Sequence, residues 1–336
     1  MIITRTPFRM PVGGGGTDLP SFYKKHGGFI FSASINKYMY VAVNRPFVDK
    51  LIRVKYSDSE TVKELSELKH ELAREALRLK GVMDQIEISS FADIPAGTGM
   101  GSSSSYLIGL LKALQELRRE AVSMQDLAEE ACNIELDILK KPIGKQDQYL
   151  AAFGGFCVLE IGKDGKVEVR QARISADLIE ELEYKCVLFY THKQHDTNDI
   201  LKDQSAQAAV SKSKVEKALL EIKDIGREIL NDFEKGETTN YGKLMHRHWQ
   251  VKKTMSNKIS DSFLDEIYDL ALKNGAEGGK IMGSGGGGLF LFFAPHGHKE
   301  LKKAMKNKGL TQLPFNFDFE GSKVLINLFQ HVNGKA

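Results

Sequence analysis

The stretch Pro95–Ser105, PAGTGMGSSSS, places three glycines and four consecutive serines directly in front of a helical pattern of bulky residues. Glycine accepts positive φ angles and lets backbone N–H groups come close to a ligand. A helix that begins after such a loop adds unpaired N–H groups and the positive end of its dipole. The combination predicts a phosphate site, with the serines capping the helix and offering hydroxyl groups.

Two more glycine clusters occur, Gly13–Gly16 and Gly283 with Gly285–Gly288. One such cluster is more often a turn, and a serine before a helix is usually only a cap. Three clusters, one of which opens a helix, favour phosphate binding. The chain has no G-x-x-x-x-G-K-[ST] motif, and GTGMGS is not G-x-G-x-x-G, so neither a P-loop nor a Rossmann site is predicted.

Composition restricts the function classes. The chain has 336 residues, of which 42% are hydrophobic and 27% charged, as in soluble globular proteins. The net charge of +3 comes from interleaved acidic and basic residues, which argues against nucleic-acid binding. There is no signal-peptide pattern and no apolar run long enough for a membrane span, so we expect a cytoplasmic protein. Its expected partners are small molecules, with no nucleic acid and no membrane, and a homodimer is left open.

Strand patterns dominate the first half of the chain and charged helical patterns the second half. Without a regular strand–helix alternation, a doubly wound sheet is not expected. The sequence predicts an α+β fold with two domains, residues 1–175 and 176–336. Apolar residues at helical spacing predict a helix from Val62 to Leu79, and another through Leu127 and Ile138 that ends near Pro142.

Three motifs resemble those of the GHMP kinases, the superfamily of galactokinase, homoserine kinase, mevalonate kinase and phosphomevalonate kinase. Pro95–Ser105 resembles the second motif, P-x-G-x-G-L-G-S-S-A, and Thr6–Pro20, TPFRMPVGGGGTDLP, resembles the first. Residues 280–288, KIMGSGGGG, resemble the third, K-x-T-G-A-G-G-G-G. The motifs follow the family order and together cover the whole chain. GGGGTDLP is most similar to the sugar-1-kinase branch, with fucokinase-like enzymes nearby.

The resemblance implies a ribosomal-protein-S5-like N-terminal domain, a ferredoxin-like C-terminal domain, and a cleft for ATP and sugar between them. It implies an ATP-dependent sugar kinase that phosphorylates an anomeric hydroxyl. The expected reaction converts D-glycero-D-manno-heptose 7-phosphate into the 1,7-bisphosphate, for nucleotide-activated heptose and surface glycans. The alternatives are the same chemistry on an unphosphorylated sugar, such as L-fucose or a uronic acid, and a non-catalytic sugar sensor.

The resemblance also assigns ATP and Mg²⁺ ligands. The ATP-binding residues would be Pro95, Gly97, Thr98, Gly99, Met100, Gly101, Ser102, Ser103 and Ser104. Lys280 would close over the site from the other domain. Ser103 and Glu135 would bind Mg²⁺, which prefers hard oxygen ligands. Glu135 and Asp137 lie at opposite edges of the apolar helix stripe, so periodicity alone does not choose between them, and the resemblance favours Glu135.

Asp147, in GKQDQY, would be the catalytic base, and Arg9 its basic partner and a contact for the γ-phosphate. The alternative for Asp147 is a helix N-cap. Asp18 would bind sugar hydroxyls, for which a carboxylate is a good acceptor, although an Asx turn is the alternative. The remaining expected substrate-binding residues are Thr17, Gly15, Gly16, Gly283, Ser284, Gly285 and Gly286.

The match weakens in two places. Ser284 and Met282 replace the usual Ala and Thr of the third motif, and His192 and His195 stand where relatives often carry T-G-x-x-R. A substrate phosphate would need a basic pocket, with the candidates Lys37, Arg45 and Lys193, none placed by spacing. The pair His246 and His248 is interpreted as surface or packing residues.

Overall fold

The structure, a computed structural model, describes residues 1–193, 200–202, 205–206, 208, 210 and 213–329. The strands of its first sheet are β1 (Ile2–Gly14), β2 (Gly28–Asn44), β3 (Ile52–Lys55), β4 (Ser59–Val62), β5 (Ile86–Ala92), β6 (Phe156–Ile161), β7 (Val167–Gln171) and β12 (Lys323–Asn327). Their order is β12-β1-β2-β5-β3-β4, and β6 lies between β2 and β7. Among the described strands of this sheet, only β3 and β5 pair in parallel.

The seventeen-residue strand β2 organises this sheet. Along one side it pairs antiparallel with β1 from Ile2 to Gly14. On its other side the first half pairs with β6 and the second half with β5. A bulge between Pro11 and Gly13 shifts the register at the start of the first glycine motif, and the pairing with β2 ends at Gly14. The rest of the motif, Gly15 and Gly16, therefore lies outside the sheet.

Helices cover this sheet. They are α1 (Pro20–His26), α2 (Glu71–Leu79), α3 (Ser102–Arg118), α4 (Met124–Cys132) and α5 (Gln146–Phe153), with a π-helical turn, Asn133–Ile138, directly after α4. The apolar residues of α3 and α4 pack on the sheet in one continuous core. A π turn inside a helix occurs often at functional sites, because the extra residue redirects a side chain. This π turn carries Glu135.

The predicted helix from Val62 to Leu79 is wrong at its beginning. Val62 ends strand β4, a 3₁₀ turn spans Leu65–Glu67, and α2 begins only at Glu71. His70 caps α2, because its side chain accepts a hydrogen bond from the N–H of Ala73. The apolar spacing runs on through the 3₁₀ turn, so periodicity did not mark where the helix begins.

The second half forms a four-stranded antiparallel sheet in the order β11-β8-β10-β9. Its strands are β8 (Cys186–Tyr190), β9 (Gly278–Ile281), β10 (Leu289–Phe293) and β11 (Thr311–Leu313). Its helices include α6 (Ala176–Lys185), α7 (Lys214–Glu234), α8 (Tyr241–Lys253), α9 (Ser262–Lys273) and α10 (Lys299–Asn307). Because its strands are antiparallel rather than doubly wound, the α+β prediction is confirmed.

A shared apolar core joins the halves. Phe31 of β2 packs edge-on against Phe233 of α7, with ring centroids 5.9 Å apart. The halves also touch at glycine, since a Cβ added at Gly226 of α7 would lie 2.5 Å from the Gly14 nitrogen. After the second sheet the chain returns to the first, where β12 pairs with β1. The division at residue 175 stays a prediction, as does the homodimer.

Candidate active site

A cavity of about 630 Å³ lies between the two halves. Most of the predicted site residues line it, namely Arg9, Gly15, Gly16, Asp18, Gly97, Gly99, Met100, Gly101, Ser102, Ser103, Ser104, Asp147, Lys280, Gly283 and Ser284. Six other predicted residues do not line the cavity: Pro95, Thr17, Thr98, Glu135, Gly285 and Gly286. The structure thus brings the three glycine motifs to one place, although they are far apart in the sequence.

Helix α3 begins at the second glycine motif. Its N-cap is Gly101, which has a φ of 78° and makes no side-chain capping bond. The prediction that the serines cap the helix is therefore wrong, because they already lie inside its first turn. Ser104 donates to Glu135, and Ser105 donates to the Pro7 carbonyl. The exposed N-terminal N–H groups face the cavity, which is the arrangement that binds anions.

The second and third glycine motifs touch each other through their backbones. A Cβ at Gly99 would lie 2.7 Å from the Met282 carbonyl oxygen, and one at Gly283 would lie 2.8 Å from the Gly99 Cα. At Gly288 the added Cβ would lie 2.5 Å from the Thr98 oxygen. These glycines are therefore required for contact between the two halves. The sequence predicted an ATP-binding role for Gly99 and a substrate-binding role for Gly283, and no role in joining the halves.

Arg9 and Asp147 form an ion pair at the cavity wall. The Arg9 Nε lies 2.7 Å from Asp147 Oδ1, and its Nη2 lies 3.2 Å from Oδ2. The same guanidinium donates to the Gly99 carbonyl oxygen at 2.5 Å. The N-cap alternative for Asp147 fails, because the N-cap of α5 is Lys145. The side chain of Asp147 keeps 24% exposure, against 7% for Arg9, so the carboxylate remains accessible from the cavity.

Glu135 lies directly behind the serines. It is fully buried and accepts hydrogen bonds from Ser104 Oγ at 2.7 Å, Ser103 Oγ at 3.1 Å and Gln148 Nε2 at 2.6 Å. Burial raises the pKa of Glu135, and these hydrogen bonds and the Lys141 amine oppose that shift. Asp137, the other candidate, is exposed. The structure places only Glu135 beside Ser103.

Asp18 is buried in the cavity lining, close to Asp147. Its carboxylate accepts hydrogen bonds from the backbone N–H of Gln146 at 3.0 Å and from its side-chain amide at 3.3 Å. Burial raises the pKa of Asp18 to about 6, and the nearby charge of Asp147 adds to the shift. Thr17 faces away from the cavity, because its hydroxyl donates to the Phe29 carbonyl and accepts from the Phe29 N–H.

The second half contributes two buried lysines. Lys252 donates to the carbonyls of Ile281 at 3.1 Å and Gly283 at 2.6 Å, and Lys280 donates to the Val12 carbonyl at 3.2 Å. Desolvation lowers the pKa of each amine to about 7; the charge of Lys252 adds to the shift of Lys280, and that of Arg9 to both. Within the part of the chain that the structure describes, neither amine forms a salt bridge. These charges are therefore free to meet an anion.

The chain matches known protein families over most of its length. Residues 60–155 match the GHMP kinases N terminal domain, and residues 229–310 match the GHMP kinases C terminal family. The chain is 30% identical to a D-glycero-alpha-D-manno-heptose 7-phosphate kinase of Campylobacter jejuni, over 96% of this chain and 98% of that protein. The chain belongs to the GHMP kinase family.

Solved structures agree with this GHMP kinase fold. A D-glycero-D-manno-heptose 1-phosphate kinase from Bacteriodes thetaiotaomicron superposes with a TM-score of 0.80 at 24% identity, covering 97% of this chain and 99% of that one. A Lactococcus lactis galactokinase complexed with galactose gives 0.73 at 18% identity, covering 96% and 94%. At these identities the likeness concerns the fold. The predicted family and fold class are confirmed.

Other predicted positions of this GHMP kinase lie elsewhere. Lys37, Arg45 and Lys193 do not line the cavity, and Lys193 pairs with Asp261. The imidazole of His192 lies 2.8 Å from the Thr311 hydroxyl, while His195 lies outside the described residues. Among the described helices, none combines the length and apolar character that crossing a membrane requires.

Of the lining residues that no motif indicated, His248 and Lys252 both lie on α8. They stand in LMHRHWQVKK, a charged stretch that is typical of a solvent-exposed helix. The one available signal was their spacing of four residues, which puts both on the same helix face. That face is buried against the cavity, so the interpretation of His248 as a mere packing residue is incomplete.

Proposed function

We propose that this kinase transfers the γ-phosphoryl group of ATP to the anomeric hydroxyl of D-glycero-D-manno-heptose 7-phosphate, giving the 1,7-bisphosphate and ADP. The observation that carries the reaction type is the Arg9–Asp147 pair, which lies in one cavity with the glycine loop and Asp18. The name of the Campylobacter jejuni relative supports the choice of substrate. ATP is the phosphoryl donor in this family, and its cellular supply favours a cytoplasmic reaction.

Asp147 is the proposed base. It accepts the proton of the anomeric hydroxyl while the sugar oxygen bonds to the γ-phosphorus and the bond to the β–γ bridging oxygen breaks. Such a group contributes about 10²- to 10⁴-fold to the rate. Arg9 orients the carboxylate through two hydrogen bonds and reaches the glycine loop through Gly99. Its guanidinium is placed to stabilise charge on the transferred group.

The ATP phosphates would lie on residues 97–104 at the N-terminus of α3. Backbone N–H groups and the helix dipole favour anions there. The contacts of Thr98 with Pro95, and of Gly285 with Ile259, support an indirect role for these predicted residues, in holding the loops.

Mg²⁺ is part of the proposal, and the donor set fits it. Ser103 and Glu135 offer a hydroxyl and a carboxylate 3.1 Å apart, which are the hard oxygen ligands that Mg²⁺ takes. When bound, Mg²⁺ would neutralise phosphate charge. Ser104 and Gln148 fix the orientation of the Glu135 carboxylate, whatever occupies the site.

The sugar would lie between Asp18 and the second half. Asp18 is an acceptor for hydroxyl groups, and the amines of Lys252 and Lys280 are donors for phosphate oxygens. Two buried amines without a carboxylate partner are costly in an empty site, and an anion offsets that cost. Both the ATP phosphates and a phosphate on the acceptor sugar are such anions, and the name of the Campylobacter jejuni relative supports the phosphorylated sugar. The product would feed nucleotide-activated heptose for surface glycans.

The test is ADP release with Mg-ATP against D-glycero-D-manno-heptose 7-phosphate, free heptose, L-fucose, galactose and glucuronic acid. We expect turnover with the phosphorylated heptose alone. Turnover with a free sugar at equal or higher kcat/KM would contradict the substrate and keep the chemistry. Binding of a sugar without ADP release, checked by calorimetry, would support a sensor instead.

A further inference from the structure

Helix α8 lies unusually close to strand β9. A Cβ at Gly278 would lie 1.9 Å from the Gly242 carbonyl oxygen and 2.8 Å from the His246 nitrogen. Only glycine permits this approach without moving the helix. The close packing sets His248 of α8 beside Lys280 of β9, at the floor of the cavity.

His248 is buried, with a relative exposure of 4%. Within the described part of the chain neither Nδ1 nor Nε2 makes a hydrogen bond of standard geometry, and the Gly14 backbone is close enough to favour the protonated ring. Of the buried side chains with such unpaired polar atoms among the described residues, only His248 lines the cavity. A buried polar group left unpaired costs free energy, and each case in a native structure needs an explanation. Because His248 lines the cavity, the explanation that fits its position is a bound ligand that pairs with the ring.

The charge state of the imidazole restricts which chemical groups it can bind. Burial and the charges of Lys280 and Lys252 lower the pKa of His248 well below its usual value, and the Gly14 backbone only opposes this shift. The ring is therefore neutral, with one N–H donor and one nitrogen acceptor. A phosphate group offers only acceptors when fully ionised, and the two lysines already supply donors. A sugar hydroxyl both donates and accepts, so hydroxyl groups satisfy both ring nitrogens.

We propose that His248 hydrogen-bonds hydroxyl groups of the acceptor sugar and is a specificity-determining residue supplied by the second half of the chain. The assignment rests on the proposed sugar-kinase function and deepens it. Asp18 lines the same cavity from the first half and is an acceptor only. The sugar is thus held by residues of both halves, and a sugar lacking the hydroxyl leaves a buried nitrogen unpaired, which a site of this kind rejects strongly.

The first experiment compares His248→Phe with wild type. Phenylalanine keeps a planar ring and removes both nitrogens, so the apo protein should unfold at the same or a higher temperature. We expect the sugar KM to rise at least about 10-fold, with the ATP KM unchanged within about twofold. His248→Gln, which retains one donor and one acceptor, should recover part of the loss. His246→Phe is the matched control, because His246 contacts Tyr268 and does not line the cavity.

The second experiment uses monodeoxy analogues of whichever sugar the wild type phosphorylates. Removing the hydroxyl that contacts His248 should lower kcat/KM in the wild type and have little further effect in His248→Phe, a coupling that a merely structural role would not produce. Equal losses for every analogue in both proteins, or a higher ATP KM instead of a higher sugar KM, would overturn the assignment.

The two proposals can fail separately. Turnover of a different sugar with the coupling retained overturns the proposed substrate and supports His248. Turnover of the phosphorylated heptose without this coupling supports the proposed substrate and overturns the role of His248. If no sugar is turned over, the same sugars are compared by their effect on the melting temperature. No larger rise in wild type than in His248→Phe then overturns the role of His248.

Discussion

The first-half and second-half walls of the cavity differ in how their charged side chains are paired. On the first-half wall, Asp147 pairs with Arg9, and Glu135, buried behind the serines of this wall, accepts three side-chain hydrogen bonds. On the second-half wall, Lys252 and Lys280 have only carbonyl oxygens as partners among the described residues, and His248 makes no hydrogen bond of standard geometry there. The carboxylates of the first half thus have partners without a ligand. The amines and the imidazole of the second half would gain partners from a ligand, so the second-half wall should respond most to what is bound.

We expect the largest loss of rate from a substitution on the first-half wall. Asp147→Asn should lower kcat at least about 100-fold, because the amide cannot accept the proton, while folding and ATP binding stay nearly intact. The measurement is steady-state ADP release with a calorimetric ATP titration. Asp137→Asn, an exposed carboxylate on the π turn, is the control. A kcat near that of the wild type would remove Asp147 from the mechanism.

Asp18→Asn should act on sugar binding. A buried hydrogen bond to a charged group is worth about 1.5–3 kcal/mol, so the sugar KM should rise about 10- to 100-fold. Since burial raises the pKa of Asp18 to about 6, wild-type sugar affinity should fall as the pH drops through 6. The asparagine variant should lose this acid limb. The apo variant should also melt higher, because the ionised carboxylate is disfavoured by burial.

A sugar KM that keeps the same acid limb in Asp18→Asn would assign the titration to another group. Glu160→Gln is a suitable control, since this carboxylate lies on β6 outside the cavity.

Lys252→Met tests the second-half wall. Removing one buried amine should raise the KM of the phosphorylated sugar about 10-fold, the lower end for a charge-assisted hydrogen bond. Lys253→Met is the matched control, because the next residue pairs with Asp265 at 3.0 Å and does not line the cavity. KM values for both substrates within about twofold of wild type would show that the second wall needs no anion.

Ser103→Ala should raise the Mg²⁺ concentration needed for half-maximal rate several-fold, because one hydroxyl ligand is lost beside Glu135. Rates are measured over a Mg²⁺ titration at fixed ATP. Ser105→Ala keeps the wild-type dependence, since its hydroxyl donates to the Pro7 carbonyl. An unchanged Mg²⁺ dependence in Ser103→Ala would move the metal ligand elsewhere.

The last prediction concerns the stability of the apo protein. Both lysines have pKa values near 7 when folded and the ordinary 10.5 when unfolded, so the unfolded chain binds more protons above pH 7. The free energy of unfolding should therefore rise from pH 7 to 8.5, by about 1–2 kcal/mol for each lysine. The double variant Lys252→Met/Lys280→Met should flatten this rise in urea titrations. An equal slope in the wild type and the double variant would contradict the lowered pKa values.

The motifs indicated residues that the structure brings together, and the roles of these residues stay predictions. Arg9, Ser103, Glu135 and Asp147 were assigned from motifs, and the structure places them as two contacting pairs. Thr17 was assigned to the substrate because it adjoins Asp18, yet its hydroxyl bonds the Phe29 backbone. Adjacency in sequence did not decide which side chain turns inward.

The sequence by itself determined the α+β class, the helix after Gly101 and the three glycine motifs, because strand alternation, helical periodicity and glycine spacing are local properties. Only the tertiary structure decided which charges remain unpaired. A lysine such as Lys252 looks the same on a solvated helix and against a cavity. Its state depends on burial and on partners from distant parts of the chain, such as Gly283 and Arg9.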